Sequence, residues 1–373
     1  MVTKYADSLS EIYQCLHEIC DNIKDININK SRKRPLLWFR GHAVASYNLD
    51  PNIFRKADYQ YNDSGTYSNN HLREDYRFQS FMARNFDNID YRMPQYVIEW
   101  QEIMQHFFTK TRLMDWSESL TVALEFALES FITPVKDREV YERCQMAEPV
   151  IWILRPDMLN EKVYESFSTN SELIYKAIQQ ERSDSLQSTE AIQEFAEKIM
   201  EELQRERKDG IYYDIKMDNE QNLNRIIGLS ALEVERNAYK GKEIEALRNF
   251  EINPFFYLLL RYYSDGLPIN LGELPPLAVI HPYHSQRIKL QKGVFTVFPY
   301  YIPDKKMKKV WEKTEAYPSF GMEYMEQCIP YLYKIQILNP ERVAEELMLT
   351  GAKRGNLYPD MQSISLDMEN VVE

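Results

Sequence analysis

Apolar residues recur at helical spacing from Ser8 to Ile26, where Ile12, Leu16, Ile19, Cys20 and Ile23 share one side. Ser8 and Glu11, three apart, form a capping box at the start of that helix. The pattern then changes. After Pro35, the continuous apolar run Leu36-Leu37-Trp38-Phe39 predicts a short buried strand that stops at Arg40-Gly41. Asp58–Asn70 is polar and aromatic without period and reads as a surface loop. Helical spacing returns over His71–Phe86 and over Val97–Phe108, with Trp100, Ile103, Met104 and Phe107 facing inward. Thr109–Ser119 has no clean period. Leu120–Ile132 is helical again, and the small residues Ala123 and Ala127, four apart, allow a neighbouring element to lie close.

Pro149–Leu154 (PVIWIL) predicts a second buried strand. From Met158 to about Asp209 the chain is charged and rich in Gln and Ser. Its pattern is helical, with Phe195, Ile199 and Leu203 at four-residue steps before Gly210. Residues 211–262 also read as helical. The apolar run Phe255–Leu260 is far shorter than the ~20 residues of a membrane span and reads as a core helix. Later strands are expected at Leu277–Ile280, Gly293–Phe298 and Tyr331–Ile337. Asn339-Pro340 then opens a helix that closes at Gly351. The elements together describe an α+β protein with a mixed β core, surrounding helices and a helical insertion. Its expected divisions are an N-terminal helix (1–30), a core (31–157 and 263–373) and an inserted helical region or subdomain (158–262).

Composition narrows the function more than the fold. Of 373 residues, 44% are hydrophobic and 27% charged, as in ordinary globular proteins. With only 11 Gly, a Gly-rich nucleotide fold is disfavoured. The net charge of −12 argues against sequence-independent nucleic-acid binding, which needs clustered cations. The basic runs Lys30–Arg34 and Lys305–Lys309 read as solvated surface. Four cysteines (Cys15, Cys20, Cys144, Cys328) form no CxxC, and the N-terminus has no apolar leader segment. Reduced thiols in a cytoplasmic protein without membrane contact are therefore expected.

Three segments carry candidate chemistry. Arg40 ends an apolar strand, where its planar fork suits a phosphate or carboxylate, and Gly41 allows close approach; the alternative is an ion pair with a buried acid. Gln105-His106 is followed by Thr111-Arg112-Leu113-Met114-Asp115-Trp116-Ser117-Glu118-Ser119, a dense polar stretch between two helices. There Ser117 or Ser119 can instead cap the next helix, and Arg112 can pair with Asp115. In the third, Arg287, Lys289 and Gln291 share a face if the segment is a strand, and Gly293 marks a turn. His281 and His284 have HxxH spacing but no further ligands nearby, so no metal site is expected.

Phe39-Arg40-Gly41 with Leu49, Pro51 and Arg55 resembles the opening of the FRG domain family, named for its Phe-Arg-Gly motif. Gln105-His106…Thr111–Ser119, followed by Ala123–Ala127, is similar to its most specific block. Arg287–Phe295 and Gly351…Asn356-Leu357-Tyr358-Pro359-Asp360 are similar to the later ones. Where the family carries a glycine-proline turn, this chain has Phe107-Phe108-Thr109-Lys110. The family's layout in turn resembles ADP-ribosyltransferases. Taken residue by residue, that resemblance implies Arg40, Ser117, Ser119 and Gln291 as site positions. With the three polar segments themselves, the expected catalytic residues are Arg40, His106, Asp115 and Gln291. The expected ligand contacts are Gly41, Arg112, Trp116, Ser117, Ser119 and Arg287, with NAD as the possible substrate.

Breaking the glycosidic bond of NAD develops positive charge on the ribose, which calls for anchored phosphates and a carboxylate or hydrogen bond at the sugar. Arg40 suits the first need; Trp116 or Tyr47 suits stacking on the leaving ring. Gln291 can donate or accept a hydrogen bond but supplies no negative charge, leaving that to Asp115 or Glu118. Three readings follow. One is an enzyme that splits NAD or transfers ADP-ribose, as a bacterial toxin or phage-defence effector does. A second is a nucleotide-sensing or protein-interaction module whose helical insertion meets a partner. The third, nucleic-acid cleavage through His106 and Asp115, fits the acidic charge poorly.

Overall fold

The computed structural model describes residues 2–24, 36–54, 70–85, 97–107, 109–132, 148–170, 190, 194, 196–201, 263, 268–270, 274–280, 285–302 and 331–369. Several expectations fall outside them. These are nearly all of the 58–70 loop, both basic runs, most of the 158–262 region with Phe255–Leu260, the His281/His284 pair, Arg55, Cys144 and Cys328.

Among the described residues, seven strands form one mixed sheet. In chain order these are β1 (Val2–Ala6), β2 (Trp38–His42), β3 (Leu113–Ser117), β4 (Val150–Leu154), β6 (Leu277–Val279), β7 (Gly293–Val297) and β9 (Leu332–Ile337). Across the sheet the order is β1-β9-β4-β2-β3-β7-β6. β1 runs parallel to β9, Val2 opposite Tyr333 and Ala6 opposite Ile337; every other neighbour is antiparallel. β5 (Pro268–Asn270) and β8 (Tyr300–Ile302) form a separate parallel pair. The helices are α1 (Leu9–Lys24), α2 (Asn70–Asn85), α3 (Val97–His106), α4 (Leu120–Ala127), α5 (Glu129–Ile132) and α6 (Pro156–Thr169). They continue with α7 (Gln286–Leu290), α8 (Pro340–Leu349), α9 (Arg354–Leu357) and α10 (Met361–Glu369). The class is α+β, as expected. No described helix is long and apolar enough to cross a membrane.

The core follows from the apolar runs. All five residues of β4 are buried, as in a strand covered on both faces. Ile12, Cys15 and Ile19 of α1, Ala123, Leu124 and Ala127 of α4, and Val343, Ala344 and Leu347 of α8 pack on Phe39, Ile151, Ile153, Ile335 and Ile337. The Ser8 half of the box forms, whereas the Glu11 carboxylate reaches back one residue beyond Ser8. The Glu11 N–H donates to Ser8 Oγ at 3.3 Å, while the Glu11 carboxylate accepts from the Asp7 N–H at 3.0 Å. At the far end of the sheet, β6 has one free edge. The buried Asn160 of α6 closes it by accepting from the Ala278 N–H (2.8 Å) and donating to the Ala278 carbonyl (3.0 Å), much as another strand would. The Asn339 side chain caps α8 by accepting from the Arg342 N–H, and Gly351 follows at φ +89°.

Four expectations are corrected. Val2–Ala6, before the first helix, is an edge strand. The aperiodic stretch 109–119 contains β3, a strand inside the sheet. Arg287–Gln291 is helical rather than extended, because Ser285 Oγ accepts from the Ile288 N–H at 3.1 Å and starts α7. Phe107 does not face inward: α3 ends at His106, and Phe107 is 63% exposed.

Candidate functional site

Strand β2 has two unlike flanks. Five consecutive rungs join it to β4, whereas its described pairing with β3 is the single rung Phe39–Ser117. The two strands splay, and a pocket of about 270 Å³ opens at the notch. This volume is just below the ~300–1,000 Å³ of most small-molecule sites, enough to enclose part of a nucleotide. Phe39, Arg40 and Gly41 line it from β2, Asp115, Trp116 and Ser117 from β3, and Gly293 and Phe295 from β7. Helix α3 contributes Glu102, Gln105 and His106; α4 contributes Val122, Ala123 and Phe126; Arg287, Ile288 and Gln291 come from α7 and its C-cap.

Gly41 is required by packing. A Cβ there would lie 1.9 Å from the Ala123 carbonyl oxygen and 2.8 Å from the Ala127 nitrogen, both helix backbone. The four-residue spacing of those alanines therefore matches the close approach of α4 to β2. Arg40 fills the notch: one guanidinium nitrogen donates to the Asp115 carbonyl at 2.5 Å, and its Nε donates to His42 Nε2 at 3.0 Å. Its charge pairs only loosely with the Asp115 carboxylate, 3.9 Å away and 58% exposed, a geometry worth a few tenths of a kcal/mol to about 1. Gln105 donates to Asp115 Oδ1 at 2.8 Å and accepts from the Thr111 hydroxyl, so the carboxylate is oriented.

The surroundings of His106 favour its neutral form. Burial comes first among the causes and the neighbouring Arg287 charge second; both lower its pKa from 6.5, while Asp115 opposes them. Ser117 ties the two halves of the pocket together: its hydroxyl donates to the Gln291 carbonyl at 2.7 Å and accepts from the Ser119 N–H at 3.0 Å. The Gln291 side-chain amide donates to the Leu357 carbonyl at 2.8 Å, and the Arg287 guanidinium lies 4.5 Å from the centre of the Tyr358 ring. Lys292, at φ +47°, makes the turn from α7 into β7.

Eight of the ten candidate residues thus line one pocket: Arg40, Gly41, His106, Asp115, Trp116, Ser117, Arg287 and Gln291. Two lie elsewhere. Arg112 is 1% exposed and donates to the Phe298 carbonyl at 2.7 Å, joining β3 to the end of β7; it does not pair with Asp115 as the sequence allowed. Ser119 occupies the N-cap position of α4 but makes no side-chain capping bond. Trp116 reaches the pocket, yet it is 3% exposed and its indole N–H donates to Thr296 Oγ1, so its ring belongs to the sheet rather than to a stacking platform. Tyr47 is 58% exposed and meets His42 edge-on. Glu102 and Asn52 were not anticipated as lining residues. For Glu102 a signal existed: with Gln105 and His106 it stands at i, i+3 and i+4, one face of α3.

Residues 36–134 match the family model of the FRG domain. Over this stretch the chain is similar to the FRG domain. No curated protein and no solved structure matches the chain. The matched residues run from just before β2 past α5. They supply Arg40, Gly41, Glu102, His106, Asp115, Trp116 and Ser117, whereas Arg287 and Gln291 lie outside the match. The FRG segment therefore furnishes part of the pocket, and α7 with β7 furnishes the rest.

Proposed function

We propose that the FRG pocket binds NAD or a related nucleotide and breaks its nicotinamide–ribose bond, releasing ADP-ribose to water or to an acceptor. The observation that supports this is the convergence of Arg40, Arg287, a neutral His106 and the oriented, exposed carboxylate of Asp115 on one pocket. The guanidiniums supply anchors for the phosphates. Asp115 supplies negative charge for the ribose as its bond to nicotinamide breaks and nicotinamide leaves with the electron pair. Water or an acceptor hydroxyl then adds to the anomeric carbon, and its proton passes to the neutral His106 imidazole and on to solvent. The arrangement also resembles ADP-ribosyltransferases in that an arginine from one strand faces residues from a second strand and from the start of a later one. A cell whose NAD is consumed stops growing, which fits a toxin or defence effector.

One observation favours a second reading, a nucleotide sensor without turnover. Gln291 carries an amide where a carboxylate would stabilise the developing charge, and that amide is engaged by the Leu357 carbonyl. The deciding experiment incubates the protein with NAD and follows free nicotinamide, beside Arg40→Ala. Release by the wild type and its loss by on the order of 10²–10³ in the variant support the enzyme. Heat stabilisation by NAD without release supports the sensor. Neither release nor stabilisation defeats both.

A further inference from the structure

The Gly351–Asp360 block has no place in the chemistry just described, yet it lies against the wall of the pocket. Tyr358 faces two cations: the Arg287 guanidinium carbon is 4.5 Å and that of Arg354 5.2 Å from its ring centre. Phe126, which lines the pocket, meets the same ring edge-on at 6.2 Å. One residue earlier, the Leu357 carbonyl accepts from Gln291. The two pocket residues that lie outside the FRG match and carry polar side chains are therefore both held by Leu357-Tyr358.

That segment is itself anchored away from the pocket. Arg354 donates to Glu129 at 2.8 Å, and the Arg354 and Gly355 N–H groups donate to the Asp367 carboxylate at 3.0 and 2.6 Å. A Cβ on Gly355 would lie 2.7 Å from that carboxylate, so a larger residue would have to push the Asp367 side chain aside. The stacking of a guanidinium on a desolvated ring is attractive and directional. A long arginine side chain would otherwise spend much of its rotamer freedom in water.

We infer that Tyr358 is the positioning residue of the pocket, fixing the Arg287 guanidinium so that it meets the anionic part of the ligand. This rests on the reading of the pocket as a nucleotide site, and specifically on its taking a diphosphate. Tyr358 acts through Arg287 and touches no ligand itself.

The test measures the dissociation constants of inorganic pyrophosphate and of NAD for the full chain by calorimetry, with unliganded melting as the check on folding. The proteins compared are wild type, Arg287→Ala, Tyr358→Leu, Tyr358→Phe and the Arg287→Ala/Tyr358→Leu double variant. Pyrophosphate binding is expected to weaken on the order of tenfold in Tyr358→Leu and at least as much in Arg287→Ala. The double variant should be no weaker than Arg287→Ala alone, because the two residues act as one unit. Tyr358→Phe keeps the ring and should stay within about threefold of wild type. A purely structural role would not yield this non-additivity with rescue by phenylalanine. If Tyr358→Leu does not fold, Tyr358→Gln replaces it, since it reaches Arg287 but offers no ring. Pyrophosphate affinity unchanged without the ring, additive losses, or no pyrophosphate binding by the wild type would each overturn the inference. Tyr358-dependent pyrophosphate binding without NAD binding would uphold it while removing the NAD reading. NAD binding indifferent to both residues would do the reverse.

Discussion

The two flanks of β2 are built from the same five residues and do opposite things. Toward β4, rung follows rung and the neighbours are Val150, Ile151, Trp152, Ile153 and Leu154, all buried. Toward β3, one rung forms and the guanidinium of Arg40 takes up the Asp115 carbonyl that a continued ladder would otherwise engage. A closed seam converts backbone polarity into sheet stability. An open seam leaves room for a ligand and obliges a side chain to satisfy the backbone. The contrast shows how one strand can be core on one edge and site on the other, and why a charged residue follows so directly on an apolar run.

The largest effect should come from forcing apart the contact both seams share. Gly41→Val drives a Cβ and its two methyl groups into the backbone of α4. It should cost more than about 3 kcal/mol, beyond the usual overpacking range, and urea unfolding of the purified variant would measure it. Next comes the contrast itself. Ile153→Ala on the closed seam should cost about 2–5 kcal/mol and leave the affinity for pyrophosphate intact in the folded fraction. Arg40→Ala on the open seam should cost no more than about 1–2 kcal/mol, mainly the lost bond to the Asp115 carbonyl, and should abolish binding. Comparable stability losses in the two variants would erase the distinction.

A somewhat smaller effect belongs to Glu125, on α4 but directed away from the pocket, toward α9 and α10. Burial lifts its carboxyl from 4.5 to about 7. Asp367 adds to the rise, and the hydrogen bond with Asn356 opposes it. The folded protein thus keeps this proton to higher pH than the unfolded chain, so stability falls as pH rises from about 4.5 to about 7 and levels off above. The shift corresponds to roughly 3 kcal/mol at most. Glu125→Gln should flatten that fall, as chemical denaturation at pH 5 and pH 8 would reveal; an unchanged slope would refute the assignment. The smallest effect is expected at Ser117. Removing its hydroxyl unties β3 from Gln291 at about 1 kcal/mol, and double-mutant analysis with Gln291→Ala should show little coupling, because the bond is to backbone.

Arg40 and Gly41 were legible because an apolar run, a fixed charge and a glycine follow one another without interruption. β3 was not: Asp115 is exposed in the middle of four buried neighbours, which spoils both helical and alternating periods, and it does so on the wall of the pocket. In Gln286–Leu290 the mixture of basic and apolar residues mimics a strand. The deciding signal was Ser285, one residue upstream, whose hydroxyl starts a helix. As a helix the segment still brings Arg287 and Gln291, four apart, to the pocket, but turns Lys289 out to solvent. β1 escaped notice because it is a half-covered edge with Val2 and Tyr5 exposed, so its residues lack the apolar run of a central strand. Arg112 could be read either as a ligand contact or as a structural group, and only burial separates the two.

The parallel pairing of Val2–Ala6 with Tyr333–Ile337 sets a timetable for the chain as it is made. At the usual ~5–20 residues per second of synthesis, the first strand waits roughly twenty seconds to a minute before its partner exists. Throughout that interval the nascent chain holds β1 without the neighbour that completes it, so a strand made long before its partner is among the last to find its place. A ribosome stalled before residue 333 would therefore carry a chain whose sheet lacks β9 and, with it, the place for β1.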